Sequence, residues 1–151
     1  MKTLFLLLHM LTGVFLFPFN SSQQEVIRDN SKRNSMKLKI TVGETILTAT
    51  MHGHPASRDF VSLLPLNLTL TDYAGTEKVS DLPKMLSTKD APAGYKPSAG
   101  DITFYAPWGN LALFYSDFSY SNGLILLGKL DGEMDVFKTS GAVQVKIELI
   151  Q

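Results

Sequence analysis

Two stretches near the two ends of the chain constrain its fold most. In Met36–Val42, Leu38, Ile40 and Val42 alternate with Lys37, Lys39 and Thr41; in Val143–Leu149, four apolar residues alternate with Gln144, Lys146 and Glu148. A period of two sends successive side chains to opposite faces of a strand, so each stretch reads as a half-buried strand. The two are equally clean, which predicts that they lie near each other and help to close one sheet.

The same alternation recurs at Leu66, Leu68 and Leu70 against Asn67, Thr69 and Thr71. Gly43-Glu44 suits a type II′ turn, returning the first strand into a second from Ile46 to Met51. At Pro55 the period changes. Phe60, Leu63 and Leu64 stand at helical spacing, with Pro55 near a helix start and Pro65 past its end, which predicts a helix of about two turns. Thr76 to Val79 is expected to pair briefly. Ser80 to Ala99, with Pro83, Pro92, Gly94 and Pro97, is a long irregular segment of the kind that covers a site or packs on a core. Ile102 to Ala106 and Leu111 to Tyr115 form a hairpin, Pro107 suiting the second position of a type I turn and Gly109 the fourth. Leu124 to Leu130 reads as a strand buried on both faces, and Asp131 to Lys138 as one helical turn. Many short strands and few helices make this a mainly β barrel or sandwich.

Ahead of these elements lies different material. Leu4 to Phe19 is nearly unbroken apolar sequence after Lys2, too short for a comfortable membrane span and suited to a signal peptide. The expected organisation is a signal peptide over residues 1–22, a polar linker over 23–35 and one folded domain over 36–151. Export to the periplasm or the extracellular space follows, with no integral membrane span after processing; the competing readings are an uncleaved anchor and initiation at Met36. From Met36 onward ten Lys and Arg face twelve Asp and Glu, with no basic stripe, which argues against nucleic acid as a partner. The chain has no Cys, which excludes a disulfide scaffold, a thiolate nucleophile and a Cys-ligated zinc.

Aromatic residues concentrate in one place. Eight of fifteen lie between Gly94 and Gly128: Tyr95, Phe104, Tyr105, Trp108, Phe114, Tyr115, Phe118 and Tyr120. Within the hairpin, Ile102, Phe104 and Ala106 share one face and Thr103 and Tyr105 the other, while Ala112 and Phe114 oppose Leu111, Leu113 and Tyr115. One set must fill a core, and Tyr105 and Tyr115 are expected in the other. Trp108 falls in the turn, where packing seldom needs a large ring. Tyr105, Trp108, Asn110, Tyr115 and Tyr120 are therefore candidates to line a shallow ligand groove beside the loop carrying Tyr95. The competing reading is that these rings seal the core and tether the loop.

Other constellations are weaker. His52 and His54 would share a strand face, but two ligands do not make a zinc site and no third is evident before Asp59. Asp101 is expected to accept loop N–H groups, and Asp72 to order its turn beside Glu77. No G-x-S-x-G, phosphate loop or dinucleotide fingerprint occurs. No cofactor or metal is expected.

From Met36 to Ile150 the sequence resembles the bacterial cyclophilin-like domain family. The likeness rests on Asp59 to Pro65, Asp72 to Lys78, Gly94-Tyr95, Pro97, Gly100-Asp101-Ile102, Tyr105 to Asn110 and Tyr120 to Gly123. The resemblance implies a closed cyclophilin-type β-barrel of about eight strands with one or two short capping helices. True cyclophilins are prolyl isomerases marked by a Phe-His-Arg strand and a Gln-Gly-Gly-Asp segment, and neither string is present. The domain's one Arg, Arg58, falls in the expected helix. The leading expectation is an exported barrel that binds a small molecule or peptide without chemistry of its own. Its rivals are an isomerase working through Arg58 or the tyrosines, and an interaction module with no pocket.

Overall fold

The computed structural model describes residues 35–150. The expected signal peptide (1–22) and all but the last residue of the expected linker (23–35) lie outside the described residues. In chain order the elements are β1 (Met36–Val42), β2 (Thr45–Met51), helix α1 (Pro55–Ser62), β3 (Leu66–Tyr73), β4 (Glu77–Asp81), β5 (Gly94–Tyr95), β6 (Asp101–Tyr105), β7 (Asn110–Phe114), β8 (Ser121–Asn122), β9 (Leu124–Leu130), a 3-10 turn (Asp135–Phe137) and β10 (Val143–Leu149).

Eight strands close an antiparallel barrel in the order β1-β10-β3-β4-β7-β6-β9-β2. The first and last strands pair directly, Ile40 opposite Ile147, as their shared alternation predicts. Closure leaves no exposed strand edge in the ring. Gly43, at φ +58°, turns β1 into β2. Leu38, Ile40, Phe104, Leu111 and Leu127 point inward and are fully buried, joined by Phe60 from α1 and Phe137 from the 3-10 turn. Burying one such side chain contributes about 1.5–3 kcal/mol.

Helix α1 starts at Pro55 as expected, but its cap is a histidine. His54 Nδ1 faces the Ser57 N–H at 3.5 Å, and its Nε2 lies 2.6 Å from the Leu126 carbonyl. Ser57, wholly buried, donates to the Leu127 carbonyl at 2.7 Å and ties the helix to β9. The β9 run is less enclosed than its sequence suggests: Lys129 is exposed and pairs with Asp101.

The irregular segment after β4 packs on the core. Leu86 is 4% exposed within the central cluster, and Asp59 of α1 accepts the Ser87 N–H at 2.8 Å. Farther on, β5 and β8 pair as a two-stranded ribbon apart from the barrel. Gly94 makes that approach possible, because a Cβ there would stand 2.3 Å from the Ser121 carbonyl oxygen. Asp101 anchors the ribbon from the barrel side: it accepts the Ser98 N–H at 2.8 Å, the Tyr95 hydroxyl at 2.9 Å and the Lys129 ammonium at 3.1 Å.

A buried charge sits inside the ring. Lys78 of β4 is fully buried, and its ammonium donates to the Thr139 and Gly141 carbonyls at 2.7 Å each and meets Asp72 at 2.8 Å. Asp72 also accepts the Tyr115 hydroxyl and the Gly141 N–H. It therefore clamps distant segments together instead of ordering its own turn. The Lys78 bond leads the interactions that hold the Asp72 carboxyl below its usual range, against some opposing desolvation.

Candidate functional site

On the outer face of β7, with Tyr105 of β6 and Val79 of β4 beside it, apolar side chains stand where a barrel ordinarily meets water. Strand register explains which residues converge there. Glu77 stands between Tyr73 on β3 and Phe114 on β7; Val79 faces Ala112, and Tyr105 faces Asn110. Ala112, Phe114 and Leu124 form a second buried cluster, separate from the core, with Val79, Tyr95 and Tyr105 packed on it. Phe118 comes over this face from the following segment and stacks on Phe114 at 6.4 Å between centroids.

The cover is incomplete, and a cavity of about 380 Å³ remains. Glu77, Val79, Ala112 and Leu124 contribute to its lining from the strands, and Phe118, Ser121 and Asn122 from the covering segment. Trp108 stands at its rim, 57% exposed, with its ring edge-to-face with both Tyr73 (5.6 Å) and Tyr105 (5.2 Å). Such aromatic pairs contribute roughly 0.5–1.5 kcal/mol each beyond burial. The turn that presents Trp108 begins one residue earlier than the sequence suggests: the Tyr105 carbonyl accepts the N–H groups of both Trp108 and Gly109.

Two polar groups in this lining lack partners. Glu77 is 9% exposed, and its carboxyl makes no hydrogen bond or ion pair among the described residues; burial pushes it up to about 7. The Asn110 Oδ1 atom is buried and likewise unpaired. Native structures seldom leave such groups unsatisfied, so the two stand apart from most polar groups elsewhere in the barrel.

The structure brings together Tyr105, Trp108 and Asn110 of the residues expected at the site, and leaves Tyr95, Tyr115 and Tyr120 off the cavity lining, although Tyr95 packs on the cluster behind it. Tyr115 packs on the central core and bonds Asp72, so the two tyrosines expected on one face lie on opposite faces. Tyr95 bonds Asp101, while Tyr120 is mostly exposed and borders neither this cavity nor the one beside His52. Sequence reasoning missed Tyr73, Glu77, Phe114 and Phe118 as neighbours of the cavity. A signal was available: β7 reads Asn-Leu-Ala-Leu-Phe, apolar on both faces, so something must cover its outer side.

The second cavity, of about 360 Å³, borders His52, His54, Pro92, Tyr95 and Leu126. The two imidazoles stack at 6.1 Å, and no group of three or more His, Cys, Asp or Glu residues able to hold a metal occurs among the described residues. Arg58 borders neither cavity; its guanidinium donates to the Gly53 carbonyl.

The sequence profile of the cyclophilin-like family matches residues 40–148. Among solved structures, the solution structure of the hypothetical protein AF2241 from Archaeoglobus fulgidus is similar at a TM-score of 0.55. It shares 14% identity, and the match covers 78% of this chain and 96% of that one, a likeness of fold alone. No curated protein matches the chain. With the family profile spanning nearly the whole ring of strands, the chain belongs to the cyclophilin-like family.

Proposed function

We propose that this domain is a binding module that holds a small molecule or a short peptide in the aromatic groove on the outer face of its barrel. The observation that carries the reading is the cavity beside Trp108. Its volume falls in the range of small-ligand sites, and it combines rings with a few polar groups, as such sites do. A non-catalytic role suits the lining: Glu77 has no His, Lys or second carboxyl beside it in the cavity to complete an acid–base pair. The leader's apolar run supports the further proposal that the domain acts outside the cytoplasm. Among the described residues no helix is long and apolar enough to cross a membrane.

The test is a fragment screen read by Trp108 fluorescence and by chemical shifts of the domain. The expected result is that hits shift Tyr73, Tyr105 and Trp108 together; a screen whose hits leave all three unmoved sinks the reading. The isomerase alternative predicts that a cis-prolyl peptide converts faster in the presence of the chain. The binding reading predicts no acceleration, and an acceleration abolished by Arg58→Ala would overturn it.

A further inference from the structure

We infer that the groove's ligand carries a protonated amine, which docks its ammonium on Glu77 while its apolar body lies among the rings of Tyr73, Tyr105 and Trp108. The inference rests on the groove being a binding site and names the class of ligand it takes.

The charge of the lining selects a cation. Glu77 is the one ionisable acid or base in it apart from tyrosine hydroxyls, and among the described residues no Lys, Arg or His stands there to receive an anion. Glu77 pairs across the sheet with Tyr73 and Phe114 on neighbouring strands; the residue is about nine-tenths buried, and its carboxyl has no partner among the described residues. A carboxyl in that position costs stability whenever it ionises, and nothing in the barrel recovers that cost. A ligand ammonium does: it forms a charge-assisted hydrogen bond of the stronger kind.

The rings favour the same class. Trp108 lies edge-to-face with both Tyr73 and Tyr105, so these aromatics stand at different angles around one rim. Aromatic faces attract cations, Trp most strongly. The Asn110 amide borders the same space with its oxygen unsatisfied, and it adds acceptor rather than cationic character. The residues paired with Glu77 across the sheet are uncharged, Tyr73 on β3 and Phe114 on β7; Tyr105 borders the same cavity, and the Tyr115 hydroxyl on the other face feels the Glu77 charge. Lys78 and Asp72 sit on the opposite face of β4 and β3 and pair with each other.

Without a ligand the carboxyl titrates near neutrality. An amine that stays protonated up to pH 8 must find Glu77 ionised, so its affinity rises with pH through that range. With half of Glu77 ionised near pH 7, the gain between pH 6 and pH 8 is roughly tenfold.

Three matched probes test this on the purified chain: phenethylamine, phenethyl alcohol and hydrocinnamate, each followed by Trp108 fluorescence and by shifts of the cavity residues. The amine is expected to bind at least tenfold tighter than the alcohol, with hydrocinnamate weakest. Glu77→Gln is expected to bring amine and alcohol level by weakening the amine alone. A pH series on the unmodified chain probes the same carboxylate without a variant, and amine affinity that stays flat from pH 6 to pH 8 counts against the assignment. If the alcohol binds as well as the amine and moves the same residues, the amine assignment is overturned while the groove stands as a site. If none of the three moves Trp108, the amine assignment fails, and an equally silent fragment screen removes the groove as well.

Discussion

Lys78 and Glu77 are neighbours on β4, both buried and both ionisable, and they face opposite ways. Lys78 points into the ring and meets three acceptors, two carbonyls and the Asp72 carboxylate. Glu77 points outward and meets none among the described residues. The barrel therefore completes the polar group it buries for its own closure and leaves incomplete the one beside the cavity. A satisfied buried charge reads as architecture; an unsatisfied one next to a cavity is what the proposed ligand would complete.

That contrast can be broken by substitution. Lys78→Ala should have the largest effect, a loss of roughly 3–5 kcal/mol, because it removes a fully buried stem and strands its acceptors. Urea denaturation measures it, and a loss below about 1 kcal/mol would show that Lys78 is not the clamp described.

Glu77→Gln should act in the opposite direction. Burial raises the folded-state carboxyl from 4.5 to about 7, so the folded chain binds more protons than the unfolded chain between those values. Glu77's contribution is fully present below about pH 4.5 and is lost as pH rises through 7, by roughly 1–3 kcal/mol once solvent screening is allowed for. The variant should therefore be more stable than the parent at pH 8 and nearly equal to it at about pH 4.5, and this component of the pH dependence should vanish. Melting curves across that window decide the matter.

Trp108→Ala sharpens the comparison from the rim. The indole is more than half exposed, so its removal should cost about 1–3 kcal/mol, through two aromatic contacts, while removing the affinity proposed for the groove. Unfolding of this variant would instead identify the ring as structural. The smallest effect is expected for Asn110→Leu. Replacing a buried amide whose oxygen has no partner should shift stability by about 0.5 kcal/mol or less, measurable by the same denaturation series.

The barrel was legible in the sequence because its strands are patterned by water. Leu38-Ile40-Val42 and Val143-Val145-Ile147 alternate, since one face is buried and the other is wet, and that alone gives strand, face and approximate ends. The groove was only half legible. Trp108 stood out because a large ring in a turn lacks a packing reason. Tyr105 and Tyr115 look alike in sequence, however, and differ only through a register that puts them on opposite faces. Glu77 gave no local sign at all: its environment is made by Tyr73 and Phe114, which are brought beside it by pairing with two other strands. Likewise the role of Phe118 depends on a covering segment whose path the ribbon of β5 and β8 sets.

What separates the groove from the rest of the barrel is a mostly buried Glu77 whose carboxyl has no partner among the described residues. A carbon-13 titration of that side-chain carboxyl in the ligand-free chain measures its state directly. A midpoint near pH 7 is the expected result. A midpoint near 4.5 would mean that the carboxyl is solvated or already paired, and would contradict both the contrast with Lys78 and the binding role drawn from it.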